Sequence, residues 1–99
     1  MRFELSQSSD TMILRLEGEC TMESAIEIKE VLLQGLNKGD KLLVDLEKVT
    51  EVDTSCLQLL CSALRTSAGQ GKQVSISPNL SDQCMRFARD VGYLYALGI

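Results

Sequence analysis

Leu42–Leu60, LLVDLEKVTEVDTSCLQLL, is the stretch whose reading decides the fold. Its opening, Leu42–Leu46, is aliphatic with only Asp45 interrupting, the pattern of a strand covered on most of one face. Leu57, Leu60, Cys61, Leu64 and Ala68 then recur at helical spacing, so the period changes from two to about 3.6 across a short acidic loop. The first turn of that helix carries Asp53, Thr54, Ser55 and Cys56. Free N–H groups and the positive end of the helix dipole make such a turn tolerant of negative charge, and any chemistry or modification is expected there first.

Upstream, Arg2–Ser6 places Phe3 and Leu5 on one face, Gln7–Thr11 is polar, and Met12–Glu17 alternates, which predicts an antiparallel hairpin. Gly18–Thr21 leads into a helix from Met22 to about Leu36, with Thr21 as its cap and a stripe of Ala25, Ile28, Val31 or Leu32, and Leu36. Asn37, Gly39 and Asp40 stop it, and the strand that follows is most easily a parallel neighbour through a right-handed crossover. Downstream, Gly69-Gln70-Gly71 ends the central helix and Val74–Ser77 forms a fourth strand before Pro78. Ser81 caps a last helix, Asp82–Val91, with Cys84, Phe87, Ala88 and Val91 inward and Gly92 as terminator; Tyr93, Leu94 and Leu97 close over the core edge. The order ββαβαβα predicts one α/β domain over residues 1–99, a mixed four-stranded sheet with helices mainly on one face.

Composition narrows the function. Ninety-nine residues support one core, burying roughly two-thirds of the unfolded chain's surface. A net charge of −4 argues against nucleic acid and against a polybasic membrane contact. No apolar run approaches the roughly 18 residues of a membrane span, and MRFELSQSSDTM does not read as a leader, so a cytoplasmic protein is expected. The cysteines at 20, 56, 61 and 84 have no metal-ligand spacing and read as small buried hydrophobes. Histidine is absent, which removes the commonest general base and the Ser-His and Cys-His nucleophile pairs; neither an enzyme nor a cofactor is expected.

VDLEKVTEVDTSCLQLL resembles the signature of the STAS domain, the module of sulphate transporters and anti-sigma-factor antagonists, in which a strand ending in Asp leads to an Asp-Ser-Ser-Gly-like turn. The resemblance covers nearly the whole chain. It implies that Ser55 matches the serine that a partner kinase phosphorylates in anti-sigma-factor antagonists, with Thr54 and Asp53 before it. The implied partner is an anti-sigma factor and serine kinase of the histidine-kinase-like ATPase type, bound by the unphosphorylated chain and released by phosphate. Such a kinase brings its own ATP, magnesium and base, and the chain would act as a monomer or weak dimer. Cys56 departs from the family pattern, standing where glycine is usual.

Two further readings stand beside that one. Asp, Thr and Ser are also simply good helix starters, so Asp53, Thr54 and Ser55 are equally explained as a cap. A constitutive scaffold subunit, resembling the STAS component of lipid-transport ATPase assemblies, would use the same surface without phosphate. In either case Asp53, Thr54, Cys56, Leu57 and Gln58, with Thr21 and Met22 at the start of the first helix, form the expected partner-binding surface, although Met22 also fits a core position.

Overall fold

The computed structural model describes residues 1–99. Strand β1 (Arg2–Ser8) turns at Ser9 and Asp10 and pairs antiparallel with β2 (Thr11–Cys20), Leu5 opposite Leu14 and Phe3 opposite Leu16. After a single 3-10 turn (Met22–Ser24), helix α1 (Ala25–Lys38) crosses to β3 (Lys41–Val52), which lies parallel to β2. Helix α2 (Thr54–Gly69) crosses to β4 (Gln73–Ile76), parallel to β3, and α3 (Asp82–Asp90) follows. The sheet order β1-β2-β3-β4 repeats the chain order, giving the predicted mixed α/β architecture.

One cluster of 21 buried apolar residues joins the inner face of the sheet to all three helices. Met12, Leu14 and Leu16 of β2 and Leu42, Val44 and Leu46 of β3 meet Ile28, Val31 and Leu32 of α1, Leu57 and Leu60 of α2, and Cys84 and Ala88 of α3. Burying each leucine contributes about 1.5–3 kcal/mol, and truncating one such as Leu57 to alanine would cost about 2–5 kcal/mol. The other face is open and polar. There Arg15 binds both Glu4 and Asp45 at 3.3 Å, and Glu17 lies between Arg2 at 3.7 Å and Lys48 at 4.0 Å.

Several predicted boundaries move. The acidic segment Glu47–Val52 is strand, not loop: Arg15 pairs with Asp45 but Glu17 with Lys48, and Gly18 with Val49 but Glu19 with Glu51. Two bulges on β3 therefore change its inward spacing from two (Leu42, Val44, Leu46) to three (Val49, Val52), a pattern that does not read as a strand. Opposite them β2 extends to Cys20, with Gly18 at φ +84° at the second shift, a conformation that favours glycine. On α2 the inward position falls to Ser67 rather than Ala68, its hydroxyl satisfied by donating to the Leu64 carbonyl at 3.0 Å. Val91 is exposed and only flanks α3, which ends in a Schellman motif: Tyr93 N donates to Ala88 O, Gly92 N to Arg89 O, and Gly92 has φ +80°.

Candidate functional site

The bulged end of β3 delivers Asp53 in extended conformation, and α2 begins at the next residue. Asp53 Oδ1 accepts from Cys56 N at 3.1 Å and caps its own helix. Its second oxygen, Oδ2, accepts from Met22 N at 2.8 Å, at the start of the 3-10 turn that leads into α1. One carboxylate therefore satisfies orphan N–H groups of two helical segments and fixes their N-terminal ends side by side. The predicted cap Thr21 occupies the N-cap position of the 3-10 turn, but its side chain makes no capping bond. The extended backbone of Thr21 turns the chain, and the carboxylate of Asp53 supplies the acceptor.

Around this joint the expected residues divide into two groups. Thr54 and Gln58 are exposed, Ser55 and Thr21 half-buried, and Met22 is 70 % exposed, which places it on the surface and not in the core. Cys56 and Leu57 are sealed in the core at 1 % and 0 % exposure. That corrects their expected place on the binding surface: inward helix positions one turn before Leu60 and Cys61 belong to the packed stripe.

Cys56 also meets Cys20 and Cys84, both fully buried, from the end of β2 and the first turn of α3. Hydrogen bonding with Cys20, then burial and the nearby Cys20, Cys84 and Asp53, pushes the Cys56 thiol far up, and the same bond lowers Cys20. Burial, reinforced by Cys20, pushes Cys84 up to about 11. The helix dipole therefore does not produce a reactive thiolate at the start of α2. No group of His, Cys, Asp or Glu is arranged to hold a metal ion, and no helix is long and apolar enough to cross a membrane.

Sequence reasoning missed two features of the site. The bond from Asp53 to Met22 spans 31 positions and leaves no local pattern. Ile26, one helical turn beyond Met22 and 77 % exposed, did leave one, because it falls out of phase with the buried stripe of α1.

The frame is a four-stranded mixed sheet with its helices on one face, and α2 starts directly at the end of the inner strand β3. The family model described as "Mlab, STAS domain" matches residues 3–93, and the chain belongs to the STAS domain family. SpoIIAA, an anti-sigma factor antagonist, superposes in its unphosphorylated form with a TM-score of 0.73 at 17 % identity, over 93 % of this chain and 82 % of its own. An anti-sigma factor antagonist from Mycobacterium paratuberculosis gives 0.73 at 15 % identity, over 92 % and 77 % of the two chains. A sulfate transporter family protein from Wolinella succinogenes gives 0.70 at 19 % identity, over 90 % and 72 %. No curated protein matches by sequence.

Proposed function

We propose that the chain is a cytoplasmic partner-switching protein of the anti-sigma-factor-antagonist type, a binding protein and not an enzyme. In this reading the unmodified surface around Ser55 binds an anti-sigma factor that is also a serine kinase, and phosphorylation of Ser55 releases it. The observation that carries the reading is the position of Ser55: second residue of α2, half-buried beside the Asp53 joint, among exposed Thr54, Gln58 and Met22. SpoIIAA, which shares the fold, has been described in a phosphorylated form as well.

A phosphate there adds about −1.5 to −2 charges at a helix start that tolerates them, so the core survives and the consequence falls on the docked partner. Desolvating an unpaired charge in a contact costs about 3–5 kcal/mol, which weakens binding by roughly two to three orders of magnitude. Intact-mass analysis of protein from its native host tests the reading. A fraction heavier by one phosphoryl group and absent in Ser55→Ala is expected. Unmodified protein under every growth condition, with Ser55→Asp binding partners like the parent, defeats it.

The second reading is a constitutive scaffold, favoured by the match to the Mlab model within the family. It predicts that affinity purification returns a transport ATPase and no histidine-kinase-like ATP-binding protein.

A further inference from the structure

Helix α1 carries an unusual outer surface. Ile26 and Leu33 of α1 are 77 % and 50 % exposed and fall with Lys29 on one helical line, which Met22 of the preceding 3-10 turn, 70 % exposed, continues. Beside the Lys29 and Leu33 end of this line lies a groove of about 240 Å³, walled on α1 by Lys29, Leu32, Leu33 and Leu36 and on α2 by Leu59, Ser62, Ala63 and Thr66. Ser55 lies one turn before Leu59 on the same line of α2, outside the groove's lining and toward the end where the Asp53 bond to Met22 sets the two helix starts side by side. Three large exposed apolar side chains on one line, the last of them in the groove wall, are more than solubility alone explains.

The opposite flank of the apolar line is acidic. Glu23, Glu27 and Glu30 form a column of exposed carboxylates at like-charge spacings that destabilise a helix, and none has an ion-pair partner in the chain. On the open sheet face Glu4, Glu17 and Asp45 are ion-paired, while Glu19, Glu47 and Glu51 of β2 and β3 are, like the α1 column, exposed without an ion pair. A second copy of this chain would bring another acidic column to the same place and is disfavoured.

From this arrangement we infer that the α1–α2 groove docks an amphipathic helix of the partner, apolar on its contact face and lined with Lys or Arg along the flank over Glu23, Glu27 and Glu30. The inference rests on the partner-binding reading above and adds the partner's chemistry. It also explains how Ser55 can act. The docked helix has its cations over α1, whereas a phosphate on Ser55 emerges on the α2 flank, where no cation is matched to it.

The test titrates the isotope-labelled chain with two synthetic helical peptides sharing one Leu/Ala face, one flanked by Lys and the other by Glu, followed by NMR. Shifts at Met22, Ile26, Leu33, Leu59 and Ala63 are expected, with the Lys peptide bound at least about tenfold tighter, the scale of one strong interface contact. Ile26→Ser with Leu33→Ser, both at exposed positions, should weaken it by a similar factor with the spectrum otherwise native, and Glu27→Lys should narrow the preference. Equal binding of the two peptides, shifts centred on the open sheet face, or concentration-dependent shifts at these residues without peptide would overturn the inference. Phosphorylation is scored separately, by the intact mass of protein from the native host, so failure of the groove and failure of the phosphoswitch are distinguished.

Discussion

Asp53 holds Met22 across 31 positions of sequence through a 2.8 Å hydrogen bond, while its other oxygen caps α2 at Cys56 N. The start of α1 and the start of α2 are thus fixed to one another by a single side chain. Anything that docks on one of them meets the other in a set position.

Asp53→Ala should remove both acceptors and destabilise the fold by about 1–3 kcal/mol, within the range of one to two lost caps. Asp53→Asn keeps one acceptor oxygen and should cost less. Urea unfolding of the two variants gives the comparison, and Met22 and Cys56 amide exchange should speed up together in the alanine variant.

Ser55→Asp should change stability by no more than about 0.5 kcal/mol, because an acid in the first turn of α2 faces the positive end of the dipole. Thermal melting checks this. A large loss would mean that charge at Ser55 acts by damaging the core.

Gly35→Ala should destabilise, although alanine is the better helix former. The new Cβ would come within 2.8 Å of Leu42 Cδ1 and 3.2 Å of Cδ2, and Leu42 is itself buried at 1 % exposure. Overpacking of this kind costs about 1–3 kcal/mol against a helix gain of about 1. Adding Leu42→Val shortens the clashing side chain, and a double-mutant cycle should show the pair less destabilised than the sum of the singles.

The buried thiols predict a loss of stability in alkali. Cys61 and Cys84 have pKa values raised by burial in the fold, Cys84 to about 11 from an ordinary 9.0, whereas Cys20 and Cys56 shift in opposite directions through their shared contact. Above pH 9 the unfolded chain releases protons that the folded chain keeps, so the contribution is complete below that pH and fades as pH rises through the folded value. Each thiol can remove at most about 1.4 kcal/mol per pH unit. Urea midpoints should fall between pH 8 and pH 10, less steeply in Cys84→Ala.

Much of this was legible in the sequence. Leu42–Leu46 and the Leu57, Leu60, Cys61 series kept clean periods of two and about 3.6, and the strand and helix they predicted are present. Ser81 and Gly92 likewise bound α3 through local signals. What failed was non-local. The bulges at Glu47–Val52 exist because β2 and β3 fall out of step, which is a property of the pair and not of either strand. Thr21 looked like a cap because the residue that takes over its task is Asp53, brought there by the whole sheet. Cys56 and Leu57 adjoin Ser55 in sequence, yet their helical phase turns them inward.

The sheet's spatial sequence, β1 to β4 without a skip, bears on how the molecule is made. During synthesis each new strand finds its neighbour already laid down, and none has to force its way between two earlier ones. The last strand, only Gln73–Ile76, joins an almost finished layer, so the half-made chain is exposed chiefly along β3, the long central edge awaiting it.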